Sequence, residues 1–222
     1  MKSTLFITGT GTGVGKTVLT ALLAEYLRRR GLRVAALKPI CSGGREDARV
    51  LHTALGGTLP LDQINPWHFR APIAPLLAAR RERKRVPLAP VLIHIRAHRR
   101  RFDAVLIEGA GGLLSPLGVG FDSRDLIAAL DATPIIVASS QLGVVNQVLL
   151  TLEALPPGPR RRARVVLMAP PKPEATAASN PRLLRQLTGR PVHQLPWFGE
   201  GFTAGELLRA PRVRATLAAM AG

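Results

Sequence analysis

The chain has 222 residues, 46% apolar and 20% charged, a balance that excludes disorder and leaves length for a sizeable α/β core. Its formal charge of +17 comes from 26 Arg and 5 Lys against 14 acids, in clusters (Arg28–Arg30, Arg80–Arg85, Arg99–Arg101, Arg160–Arg164) dispersed over expected helix ends; this argues for attraction of small anions and against a nucleic-acid face. One cysteine, Cys41, excludes an internal disulfide framework, no secretory signal is evident, and polar residues interrupt Pro134–Leu155 too often for a membrane span, so a cytoplasmic location is expected.

Thr4–Thr8 reads as a short strand, followed by a Gly-rich turn and a helix over Lys16–Arg30. The apolar stripe of that helix is Val18, Leu22, Leu23, Tyr26 and Leu27, at spacings of three and four. Gly31 stops it, and Val34–Leu37 is a second buried strand before Pro39. Residues 40–100 are less regular, with turns around Pro60, Pro66, Pro72 and Pro75 and helices predicted over 73–85 and 88–100. Ala104–Ile107 is a third strand, ending at Glu108 and a Gly-rich loop. Pro134–Ala138 is a fourth, followed by a helix over Gly143–Leu155. Val165–Met168 and Val192–Leu195 are the fifth and sixth strands, and a closing helix is predicted over Ala204–Met220. Continuously apolar strands alternating with helices predict one α/β domain, residues 1–222, with a mostly parallel sheet covered on both faces.

The turn after the first strand is Gly9-Thr10-Gly11-Thr12-Gly13-Val14-Gly15-Lys16-Thr17. Between a strand and a helix N-terminus, such a loop can cradle phosphates with its backbone N–H groups. Gly11, Thr12, Gly13, Val14 and Gly15 would form the cradle, Lys16 would reach the β- and γ-phosphates, and the Thr17 hydroxyl would bind Mg²⁺. The strict G-x-x-x-x-G-K-[ST] pattern requires Gly where Thr10 stands, and Gly9 is one residue early. A dinucleotide fingerprint fails instead at its sixth position, which is Val14 in one frame and Lys16 in the other. The expectation is a P-loop NTPase-like fold.

Ligands of open α/β sheets collect at the carboxyl ends of the strands. Lys38 follows the second strand there and Glu108 ends the third, which makes Glu108 a good oxygen donor to Mg²⁺; Asp47 can join from the next segment. The plainer readings are a surface lysine, a capping or salt-bridged glutamate and an ordinary acid. The histidines at 52, 68, 94, 98 and 193 show no metal-ligand spacing, and Cys41 has no evident His partner, which leaves it a lining residue.

Taken together, Gly9-Thr10-x-Thr12-x-Val14-Gly15-Lys16-Thr17, Lys38-Pro39-Ile40-x-Ser42-Gly43 and Glu108-Gly109-Ala110-Gly111-Gly112 resemble the dethiobiotin synthetase family. Asn65-Pro66-Trp67-x-Phe69, Leu142-Gly143-x-x-Asn146 with Leu149–Leu155, and Leu195-Pro196-Trp197 extend the resemblance over essentially the whole chain. The resemblance implies a homodimeric ligase that joins CO₂ to 7,8-diaminopelargonate with Mg-ATP, closing a ureido ring. It also implies roles. Lys16 and Lys38 are catalytic; the loop from Gly11 to Thr17, with Glu108 and Pro196, binds nucleotide; Thr17, Asp47 and Glu108 hold Mg²⁺. Lys38 and Ser42 contact the diamine or its carbamate, and Gly143 and Asn146 of the second subunit take the distal carboxylate.

The chain departs from the family where Gly11 and Gly13 replace acidic loop residues. After the fifth strand, Ala169-Pro170-Pro171-Lys172 replaces an adenine-reading Asn, so the sequence leaves the choice of nucleoside triphosphate open. Three other readings compete. A partitioning or septum-placement ATPase would carry a lysine where Gly11 stands. A related P-loop ligase would act on another substrate or nucleotide. A basic nucleic-acid-binding module would show strongly salt-dependent binding.

Overall fold

The computed structural model describes residues 3–172, 178–199 and 204–222. Its main sheet has six strands: β1 (Ser3–Gly9), β2 (Val34–Leu37), β5 (Ala104–Glu108), β6 (Thr133–Ser139), β7 (Arg164–Met168) and β8 (Val192–Leu195). They lie in the order β2-β5-β1-β6-β7-β8 and every pairing is parallel. Such strands are buried on both faces, and β5 is buried at all five positions. A separate parallel pair joins β3 (Ile40–Ser42) to β4 (Trp67–Phe69).

Helix α1 (Lys16–Arg29) packs on β1, β2 and β5 through Leu19, Leu22, Leu23 and Leu27. The apolar stripe is thus centred on Leu19, with Val18 and Tyr26 only partly buried beside it. Helices α5 (Leu88–Arg101) and α6 (Ser123–Leu130) pack against each other and against β5 and β1 respectively. Helix α7 (Val144–Ala154) lies on β6 and α9 (Asn180–Thr188) on β8, in mutual contact. Helices α2 (Glu46–Ala54), α3 (Leu61–Ile64), α4 (Pro75–Arg81) and α8 (Pro157–Arg162) fill the connections. Among the described residues no helix is long and apolar enough to cross a membrane.

Several expectations are corrected. The helix predicted over 73–85 is shorter, opening with Pro75 at its first turn, and Arg83 at φ 55 lies beyond its end. The closing helix is two helices, α10 (Ala204–Leu207) and α11 (Pro211–Ala221). Pro211 lacks the N–H and steric room that an unbroken helix would need, and instead begins the second one. Helix α2 lies in the stretch where the sequence shows no helix, because its buried stripe is only Ala48, Leu51 and Ala54, two of them alanines, with Arg49, Val50, His52 and Thr53 between. Helix α6 did carry a signal, a capping box in which Asp122 and Asp125 accept backbone N–H groups reciprocally ahead of Leu126, Ile127 and Leu130.

Sheet order decides where a ligand goes. From β1 the chain moves to one side, toward β2, and from β5 to the other, toward β6. The connections after β1 and β5 therefore diverge at the carboxyl edge and leave a crevice there.

Candidate active site

The loop between β1 and α1 borders this crevice. Gly15 caps α1 in the left-handed region at φ 96, and no side chain caps that helix or places an acid in its first turn. Its free N–H groups and dipole therefore face the loop, where an anion is the natural partner. A Cβ on Gly15 would stand 2.9 Å from Met168 Cγ, so the loop is pressed close against the end of β7. Lys16 Nζ curls back and donates to Gly11 O at 2.7 Å. Burial and the charge of Lys38 lower its pKa to about 8.

Strand register builds the charged centre. Leu37 pairs with Ile107, so the next residues, Lys38 and Glu108, emerge side by side at the edge of the sheet. Lys38 Nζ donates to Glu108 Oε1 at 2.6 Å and to Asp47 Oδ2 at 2.8 Å. Burial would by itself lower the Lys38 pKa, but the two carboxylates outweigh it and push the value up, so the ammonium stays charged. Burial likewise would raise Asp47, yet Lys38 holds its carboxyl below the ordinary range. Thr17 Oγ1 donates to Glu108 Oε1 at 2.8 Å, while buried Glu108 Oε2 has no hydrogen-bond partner. The Thr17 hydroxyl, Asp47 and Glu108 offer oxygen donors of the kind a hard divalent cation takes. Among the described residues no group of three or more His, Cys, Asp or Glu is placed to hold a metal ion, so phosphate oxygens would have to complete the coordination.

A cavity of about 690 Å³ joins Lys16, Thr17, Lys38, Ser42, Asp47 and Glu108. The Ser42 hydroxyl donates to Ile73 O at 2.6 Å, which leaves its lone pairs to accept from an amine N–H. A second cavity, of about 410 Å³, lies across the phosphate loop. Thr12, Gly13, Val14 and Gly15 line it with Met168, Pro170, Pro171, Pro196 and Trp197.

The AAA domain family matches residues 3–198. The ATP-dependent dethiobiotin synthetase BioD of Anaeromyxobacter dehalogenans (strain 2CP-C) is 42% identical over 87% of this chain and 89% of its own length. That of Caulobacter sp. (strain K31) is 38% identical over 91% of each. The chain belongs to the dethiobiotin synthetase family. Among solved structures, the MinC:MinD cell division protein complex of Aquifex aeolicus superposes with a TM-score of 0.62 at 14% identity, over 98% of this chain and 93% of that one. The septum site-determining protein MinD with Mg-ADP from Pyrococcus horikoshii OT3 gives 0.54 at 17% identity, over 100% and 95%. At those identities the likeness concerns the P-loop fold alone.

Of the residues that the family resemblance singles out, Lys16, Thr17, Lys38, Ser42, Asp47 and Glu108 share the first cavity, which Thr12, Gly13 and Gly15 also border. Val14 and Pro196 border the second. Gly11 faces a groove shared with Gln147, Leu150 and Thr151 of α7. Gly143 and Asn146 stand apart, exposed at the start of α7. Two polar residues went unread, Asn65 and Arg45. Asn65 lies in a motif of the resemblance, but its burial depends on a turn between two very short elements, α3 and β4.

Proposed function

We propose that this chain, as a single domain spanning residues 1–222, is an ATP-dependent dethiobiotin synthetase that carboxylates 7,8-diaminopelargonate and closes its ureido ring. The observation that carries the reading is the convergence of Lys16, Lys38, Ser42, Asp47 and Glu108 on one cavity beside an uncapped helix N-terminus. Family membership narrows the chemistry to this reaction.

The loop amides and Lys16 hold the triphosphate. Thr17, Asp47 and Glu108 would hold Mg²⁺, whose chemistry there is to neutralise charge on the phosphates. Ser42 and Lys38 bind the diamine, one of whose amines adds to CO₂ as a carbamate. Lys38 offsets the repulsion between the carbamate and the γ-phosphate as the carbamate oxygen attacks phosphorus and ADP departs. The second amine then attacks the carbonyl carbon of the mixed anhydride and phosphate leaves. Because burial holds Lys38 in place between two carboxylates, its charge needs little reorganisation during the reaction.

A homodimer fits the surface. Leu114 and Leu150 are exposed along the groove between the phosphate loop and α7, and Leu142, Gly143 and Asn146 are exposed at the start of that helix. Seen from a second subunit, those two residues offer backbone and amide donors to the distal carboxylate of the diamine. The lone cysteine suits a cytoplasmic enzyme.

A second reading, a related ligase with another nucleotide preference, draws on one observation. The described residues after β7 are Ala169, Pro170, Pro171 and Lys172, with no side-chain amide to read a base edge. The test is phosphate release with Mg²⁺, bicarbonate and each of the four common nucleoside triphosphates, with and without the diamine. Diamine-dependent release is expected, and its absence with every triphosphate would remove the ligase reading.

A further inference from the structure

Asn65 is fully buried, yet it sits among polar atoms rather than in the apolar core. Its Nδ2 donates to Lys38 O at 2.7 Å, and its Oδ1 accepts from Arg45 Nε at 3.2 Å and from Cys41 Sγ at 3.2 Å. Arg45 also reaches Leu61 O at 2.9 Å, Asn65 O at 3.0 Å and Asp62 Oδ1 at 2.8 Å. Arg45 is the residue that opens α2, and Asp47 lies in the first turn of that helix.

The contacts close a ring. Lys38 Nζ meets Asp47; Asp47 is fixed through α2 to Arg45; Arg45 meets Asn65; and Asn65 returns to the backbone of Lys38. Backbone bonds reinforce it, since Lys38 N donates to Ile64 O and Trp67 N to Pro39 O. No member of the ring apart from Lys38 and Asp47 is needed to contact substrate or nucleotide. The ring matters because Gly43 and Gly44, just before α2, both take positive φ and give the chain little stiffness of its own there; the Cys41 thiol on Gly44 O and the Thr17 hydroxyl beside Asp47 support the same turn from other sides.

We infer that Asn65, acting with Arg45, is a positioning residue that sets the spacing between the Lys38 ammonium and the Asp47 carboxylate. The roles given to Lys38 and Asp47 rest on the ligase reading; the spacing itself does not. Groups that orient a metal ligand from behind typically cost about tenfold to a hundredfold in metal affinity when removed. A displacement of about 1 Å at a reacting centre has comparable effects on turnover.

The test compares Asn65→Ala, Arg45→Met and Arg45→Lys with the unaltered protein. Free Mn²⁺ is followed by electron paramagnetic resonance in the presence of a non-hydrolysable ATP analogue, metal-free nucleotide binding by calorimetry, and the diamine KM and kcat by phosphate release. Asn65→Ala and Arg45→Met should weaken Mn²⁺ binding and raise the diamine KM by about tenfold or more, with metal-free nucleotide affinity within about twofold. Arg45→Lys, which keeps the charge facing Asp62 but not the fork, should fall between. If Asn65→Ala does not fold, Arg45→Met reads the same ring from its more exposed side. A folded variant that changes only in melting temperature overturns the inference, as does one that loses metal-free nucleotide binding to the same degree. Absence of diamine-dependent turnover in the unaltered protein would instead remove the ligase reading and leave the Mn²⁺ comparison standing.

Discussion

Lys38 Nζ and Glu108 Oε1 stand 2.6 Å apart at the carboxyl ends of the adjacent strands β2 and β5, with both side chains nearly sealed from water. Breaking a buried pair from one side strands a charge and costs about 3–5 kcal/mol. The two sides are unequal here. Glu108→Gln leaves Lys38 hydrogen-bonded to Asp47, whose side chain is half exposed, whereas Lys38→Met leaves buried Glu108 with the Thr17 hydroxyl and the charge of Lys16, to which it makes no hydrogen bond. Lys38→Met should therefore be the more destabilising, and the double variant should recover most of the loss. Denaturant unfolding checks the order; equal single-variant losses would contradict it. Turnover should be lost in all three.

The phosphate loop makes a sharper contrast between two glycines. At Gly15, φ is 96 and a Cβ would press on Met168, whereas a Cβ on Gly11 would meet nothing within 4 Å. Gly15→Ala should abolish measurable nucleotide binding and lower the melting temperature, since the left-handed conformation alone costs about 1–2 kcal/mol. Gly11→Ala should leave stability within about 0.5 kcal/mol of the unaltered chain. Calorimetric titration with ATP and a thermal melt on each variant decide the matter.

Stability should fall on acidification below neutrality. Burial, then the neighbouring His98, lowers the His94 pKa against a smaller raising effect from its bond to Gln63 O. Burial, with Arg164 and Arg185, lowers that of His193. The folded protein thus binds protons at these sites less readily than the unfolded chain, whose histidines titrate near about 6.5. The stability is fully present above that value and is lost as pH falls through it toward the lower folded pKa values. Melting temperatures from pH 8 to pH 5 should decline, and His94→Gln should flatten the decline. An unchanged profile in that variant would count against His94.

The second cavity carries a prediction about nucleotide choice. Its described lining is mainly apolar, with Met168, Pro170, Pro171 and Pro196 beside Trp197, and Ser139 and Gln141 add the polar side chains outside the phosphate loop. Stacking tolerates any base and is worth about 1–3 kcal/mol per base. The four nucleoside triphosphates should support turnover within about tenfold of one another, and Trp197→Ala should weaken them all alike. Competition assays would expose a strong preference for ATP, which would point to a hydrogen-bonded reading of the adenine edge.

The parts of the site legible in the sequence are those that strand ends and the glycine loop fix locally. Once β1, β2 and β5 are read as parallel neighbours, Lys16, Lys38 and Glu108 have to meet at one edge. Asp47 reads in the sequence only as an acid of the next segment and through the family pattern, not through its helix, because Ala48, Leu51 and Ala54 make too weak an apolar stripe to reveal α2. Asn65 and Arg45 were invisible as a pair: they are 20 residues apart, and three-residue strands carry too little periodicity to show that β3 and β4 bring their surroundings together. Where function depends on a long-range polar contact of that kind, hydrophobic patterning is silent.

The cavity also carries its own chemical clock. Cys41 is the sole cysteine of the chain, buried on β3 where it lines the cavity; its one thiol proton is shared between Gly44 O and Asn65 Oδ1, and burial pushes its pKa up. A maleimide or disulfide reagent thus has a single target in the whole molecule, and its way there leads through the cavity that the substrates would fill. The labelling rate then reports how full the cavity is, and a ligand seated there slows it without a probe having to be engineered in.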